Sequence, residues 1–118
     1  MGETYVIVFH GSTLPSARNI MSGGVSKRLY VTTDSQLAAD YARFRAAEES
    51  VQGAIVAFTV SRALFQQWLA DGSAHAKQHL EPFHCYVLLE PVWKQLHAVS
   101  AQIWTFSASN KMALYVAA

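Results

Sequence analysis

A chain of 118 residues with 52% apolar and 14% charged side chains has enough material for one compact core and too little charge for a solvated tail. The formal net charge is +1 and Lys and Arg are scattered singly, which removes the electrostatic footprint of a sequence-independent nucleic-acid binder without excluding nucleic acid as a substrate. Cys85 is the sole cysteine, so neither an intramolecular disulfide nor a Cys-based zinc site can form, and no apolar run approaches the roughly 18 residues of a membrane span.

Tyr5-Val6-Ile7-Val8-Phe9-His10 is a β-branched and aromatic run that stops at Gly11, the pattern of a strand buried on both faces. Residues 14–21 suit a short helix with Pro15 in its first turn, ended by Ser22-Gly23-Gly24. A second strand is predicted over 28–33. Asp34 or Ser35 then caps a helix running to about Glu49, in which Leu37, Tyr41 and Phe44 share one stripe. A third strand over 53–60 leads to Ser61 as the cap of a further helix carrying Leu64, Phe65, Trp68 and Leu69, closed by Gly72. Residues 73–82 read as a polar loop or helical turn. Strands follow over 83–89, 97–106 and 111–117, with no internal repeat. Strands clustered at the end, and no Gly-rich phosphate loop after the first one, predict an α+β domain over 1–118 rather than a doubly wound sheet.

His10-Gly11-Ser12 is expected where the first strand emerges into a loop, presenting an imidazole and an unencumbered main chain to one cavity. Isolated His-Gly pairs are also ordinary strand-end turns. Tyr30 on the second strand and Tyr41 in the next helix could flank a flat ligand ring, at about 1 kcal/mol per ring. The plainer alternative makes Tyr30 a strand filler and Tyr41 part of the Leu37/Phe44 core stripe.

Strand-His10-Gly11-Ser12, a short helix ending in Gly, then Leu29-Tyr30-Val31-Thr32-Thr33 and Ala38-x-x-Tyr41-Ala42 together resemble the ADP-ribosyltransferase superfamily of the diphtheria-toxin and poly-ADP-ribose-polymerase type. The resemblance covers about residues 5–60. It implies an ADP-ribosyltransferase-like fold: a split, mixed β-sheet core with two to three short helices. It also implies NAD as substrate, no metal, and glycosyl transfer of ADP-ribose by a compact bacterial or phage toxin or effector. In that family the histidine holds the adenosine-side or nicotinamide-side ribose hydroxyls, the glycine main chain grips the nicotinamide amide, and two tyrosines sandwich its ring. Carried over, His10 and Gly11 anchor NAD, Tyr30 belongs to the second motif, Tyr41 stacks, and Ser12 and Thr32 line the site. The partners implied are NAD, an acceptor macromolecule and a cognate immunity or antitoxin protein, with no membrane. The start Met1-Gly2-Glu3-Thr4 lacks the basic n-region of a secretory signal, so the expected location is the cytoplasm, or a target cell's cytoplasm as an excised domain of an exported toxin. A second reading is a catalytically impaired relative that binds NAD, ADP-ribose or a protein.

The family's third motif is a glutamate at the front of a later strand, whose charge opposes the cationic sugar as nicotinamide departs. Of the eight carboxylates, Asp34, Asp40, Glu48, Glu49 and Asp71 cap or ride on helices and Glu3 precedes the first strand. Glu90 follows the strand over 83–89, leaving Glu81 as the candidate catalytic residue. The first strand place falls to His84 or Cys85, so imidazole chemistry by His84 is the alternative. His75 and His79 would share a helix face but lack a third ligand, so a solvated surface is expected. Adjacent His84 and Cys85 point to opposite strand faces and cannot form a direct dyad. Trp68, Trp93 and Trp104 lack interleaved basic residues and read as core or rim.

Overall fold

The computed structural model describes residues 4–22, 28–76, 85–89, 92, 100–106 and 112–114. These form the strands β1 (Tyr5–Thr13), β2 (Arg28–Thr32), β3 (Gly53–Ser61), β4 (Ala74–Ala76), β5 (Cys85–Leu89), β6 (Ser100–Phe106) and β7 (Met112–Leu114). They also form three helices, α1 (Leu14–Met21), α2 (Ser35–Glu49) and α3 (Arg62–Asp71). None of these helices is long and apolar enough to cross a membrane.

The helices start where the sequence places caps. The Asp34 carboxylate accepts from the amides of Gln36 and Leu37, and the Ser61 hydroxyl accepts from the Leu64 amide, so each satisfies donors that the first turn leaves without partners. Thr13 caps α1 in the same way. Gly72 ends α3 at φ +83°, in the left-handed region that glycine enters without strain.

The described strands make one sheet in the order β4-β5-β2-β1-β3-β6-β7, every neighbouring pair antiparallel. The domain is therefore α+β as expected. The expected sheet was split and mixed; the observed strands form one order, with β1 and β2 joined among the described residues by the single register pair Phe9↔Thr32, and no parallel pair occurs among the described strands. Strand alternation sorts the core. Val8, Val56, Val60, Leu29, Val31 and Leu88 face α1 and α3, where Ala17, Phe65 and Trp68 pack on them. Ile55 and Phe106 face the other way, toward Ala38, Ala39 and Ala42 of α2. β3 is buried almost throughout because helices cover both of its faces.

Three expectations change. First, β1 does not end at His10: it runs on through Thr13, with Gly11 paired to Ile55, and its outer residues Tyr5 and Ile7 are exposed rather than buried on both faces. Second, Leu37, Tyr41 and Phe44 are not the core stripe of α2; Tyr41 and Phe44 are exposed and the helix buries Ala38, Ala39 and Ala42. Third, Ala74–Ala76 is strand β4 rather than a loop or helical turn, with His75 opposite Val87 of β5 and exposed, as the solvated-surface expectation has it. His79 itself, like Trp93, lies outside the described residues.

Candidate functional site

The site begins with an interruption in the sheet. β1 follows β3 in register from Tyr5↔Ser61 to Thr13↔Gly53, and β2 follows β5 from Arg28↔Leu89 to Thr32↔Cys85. Between β1 and β2, among the described residues, the register consists of Phe9↔Thr32. Beyond that pair the His10 side chain takes over: its Nδ1 lies 2.6 Å from the Tyr30 carbonyl oxygen. A carbonyl only accepts, so Nδ1 carries the proton and donates. Burial pushes the half-buried imidazole below its ordinary value of 6.5, and the bond to the Tyr30 carbonyl opposes that shift in part. In the neutral ring Nε2 is then left as an acceptor.

Each neighbour is set by the same local rules. Ser12 is two residues on, so it shares the His10 face of β1; it is 8% exposed, and its hydroxyl has no hydrogen-bond partner among the described residues. Leu29 and Val31 belong to the α1/α3 core, so Tyr30 and Thr32 face the α2 side of the sheet. The Thr32 hydroxyl, buried, accepts from the Asp34 amide at 3.0 Å and is committed to the entry of α2.

Tyr41 is placed by how α2 lies down. The Arg43 guanidinium sits 4.7 Å from the centroid of the Phe106 ring on β6, which turns that flank of the helix toward β6. Two residues on a helix are about 200° apart, so Tyr41 leaves from the opposite flank, toward β2. Tyr30 and Tyr41, 52% and 53% exposed, thus stand on the same side of the sheet. The core-stripe alternative for Tyr41 is overturned by this exposure.

Gly11 is where the sequence reading is most altered. A Cβ there would overlap the Ala38 carbonyl oxygen, and a Cβ at Gly53 would sit 3.0 Å from the Ala42 carbonyl oxygen. The missing side chains let α2 lie main chain against main chain on β1 and β3. Gly11 is buried inside a paired strand, not an open loop position with free main chain. Phe9 and Gly53 shape the site and were not singled out from the sequence, and Ala38 was quoted only as part of the Tyr41 motif. Their signal was there: two glycines on prospective strands, and small residues at 38, 42 and 46 spaced one helical turn apart.

Among the described carboxylates, none stands at the seam. Asp34 caps α2; Asp40 pairs with Arg43 at 3.2 Å; Glu48 and Glu49 pair with Arg45 at 3.1 and 2.9 Å. Asp71 is held below the usual carboxylate range by the Ser73 hydroxyl and amide. Glu81, Glu90, Glu3 and His84 lie outside the described residues. The described part of β5 starts at Cys85, opposite Thr32. No group of three or more metal-capable side chains comes together among the described residues.

Compared with known protein families, with curated proteins and with solved structures, the chain matches none.

Proposed function

We propose that this protein is an NAD-dependent mono-ADP-ribosyltransferase, or the closely related NAD glycohydrolase, of toxin or effector type, with its site at the β1–β2 seam. The observation that carries the reading is the seam itself. His10, Tyr30 and Tyr41, which the sequence resemblance assigns to NAD, come from β1, β2 and α2 around the point where the ladder between β1 and β2 stops: Tyr30 and Tyr41 on the α2 side, and His10, two residues from Val8, on the α1/α3 side with its ring on the Tyr30 carbonyl.

The chemistry of these groups suits the ligand. Neutral His10, with Nδ1–H committed to Tyr30, offers Nε2 as an acceptor for a ribose hydroxyl. The buried Ser12 hydroxyl, on the His10 face of β1, is a polar group that a ligand reaching that face would satisfy. The half-exposed rings of Tyr30 and Tyr41 supply stacking surface for nicotinamide. Gly11 serves by letting α2 close onto β1, which carries Tyr41 to its place. The Thr32 hydroxyl serves by holding the start of the same helix.

In the proposed reaction the bond between the nicotinamide nitrogen and the ribose anomeric carbon breaks, and its electron pair leaves with nicotinamide. An acceptor attacks that carbon from the opposite face and gives up a proton; water in that role gives the glycohydrolase. Glu81 opposes the developing positive charge. It lies four residues before Cys85, and four extended residues span at most about 14 Å.

One observation favours a second reading, an NAD- or ADP-ribose-binding module without turnover: the described residues of β5, Cys85–Leu89, include no glutamate. The discriminating measurement is nicotinamide release from NAD, beside the NAD-induced rise in melting temperature. Release together with a rise supports the enzyme. A rise without release assigns the domain to recognition. Neither effect, at NAD well above a millimolar-order dissociation constant, overturns both readings.

A further inference from the structure

The seam also divides the molecule mechanically. On one side β1, β3 and β6 are joined by long registers, Tyr5↔Ser61 to Thr13↔Gly53 and Ala54↔Thr105 to Thr59↔Ser100. On the other, β2 is registered with β5 along its length, and β5 with β4. Between these blocks the described residues include the register pair Phe9↔Thr32 and the His10 bond to Tyr30. Had the register continued, Gly11 would lie opposite Tyr30. Instead the imidazole takes the Tyr30 carbonyl and replaces a main-chain donor.

Apolar packing also crosses the seam, with Val8 and Val56 from one block in the same cluster as Leu29, Val31 and Leu88 from the other. Such contact is non-directional and tolerates sliding, whereas a hydrogen-bonded ladder demands alignment. The blocks are also unequally anchored. The block of β1, β3 and β6 has core on both faces, while Leu29, Val31 and Leu88 of the other block belong to the α1/α3 core alone.

We propose that the β1–β2 seam is a joint between two half-sheets, β1-β3-β6-β7 and β4-β5-β2, and that His10 is its latch. In this role His10 is a positioning residue acting through the main chain of Tyr30, independent of whether NAD is the ligand. The β4-β5-β2 block opens more readily than the rest of the sheet, and the His10 bond sets how often.

The test is amide hydrogen exchange on the full chain without ligand, comparing wild type with His10→Ala, His10→Asn and His10→Gln. The Asn side-chain nitrogen is as many bonds from Cα as His Nδ1 and preserves the donor; the Gln nitrogen reaches the place of Nε2 and does not. Loss of one net hydrogen bond predicts roughly three- to tenfold faster exchange in residues 28–32 and 85–89 of His10→Ala, with residues 53–61 changing less than about twofold. His10→Asn returns the first set close to wild type, and His10→Gln does not. Equal acceleration in both sets, no acceleration, or Asn behaving as Ala overturns the latch. If His10→Ala does not fold, wild-type exchange at rising denaturant decides. Two separable opening free energies uphold the joint, and a single shared one overturns it. Failure of NAD to bind leaves all of these outcomes readable, so the two proposals fail separately.

Discussion

Gly11 and His10 are adjacent on β1 and do different work. Gly11 is required by the Ala38 carbonyl oxygen that occupies the space of its absent Cβ, a rigid main-chain atom that cannot rotate away. Gly11→Ala is therefore expected to lose about 1–3 kcal/mol or more, the cost of forcing atoms into a filled core, and Gly53→Ala, with its closest approach at 3.0 Å, to lose less. Urea unfolding of both variants checks the order, and equal stabilities would remove the close-packing account. His10 acts through its protonation state. Burial lowers its pKa, so below about pH 6.5 the unfolded chain binds a proton that the folded chain still refuses. Its contribution to stability is complete above that pH and falls as pH drops through it. Between about pH 8 and 5.5 the urea midpoint of wild type should fall further than that of His10→Asn, which keeps the donor and removes the titration. Parallel profiles would show that His10 titrates no differently in the folded and unfolded chain.

Among the elements, α2 departs most from hydrophobic patterning. Its large side chains Tyr41 and Phe44 are exposed, while Ala38, Ala39 and Ala42 are buried, because the glycines beneath leave room for main chain and methyl groups only. Phe44→Ala is thus expected to change stability by no more than about 0.5 kcal/mol, and Ala42→Leu to lose about 1–3 kcal/mol. An amphipathic-stripe helix would show the reverse order in the same denaturation experiment. The start of α2 follows local rules instead: Asp34 accepts from two first-turn amides, and Asp34→Ala should cost about 1 kcal/mol. β1 illustrates the limit of punctuation by glycine. Gly11 reads as a strand end in one dimension, yet pairing with Ile55 carries the strand on to Thr13.

At the scale of the whole molecule the candidate site belongs to no single element: β1 brings His10 from the α1/α3 face, β2 and α2 bring Tyr30 and Tyr41 from the other, and Cys85 of β5 stands opposite Thr32. That division of labour predicts a division of effects. His10→Ala and Tyr41→Ala should weaken NAD binding, while Glu81→Gln should leave binding nearly intact and abolish nicotinamide release, its role being confined to the transition state. Normal turnover by Glu81→Gln would remove that residue from the proposed mechanism.

Much of this architecture was local information. The bounds of α1, the caps Asp34 and Ser61, the Gly72 stop and the cores of β2 and β3 follow from propensities and capping groups within a few residues of each other, and so are readable in one dimension. β4 was missed because Ala74–Ala76 is too short to show an alternation and exists through pairing with β5. The candidate residues His10, Tyr30 and Tyr41 were legible as a spaced pattern. That Tyr41 is exposed, that Gly11 is filled by a helix and that β1 and β2 part beyond Phe9 were decided by tertiary structure alone. Each depends on which main chain lies against which, and residues far apart along the chain set that distance.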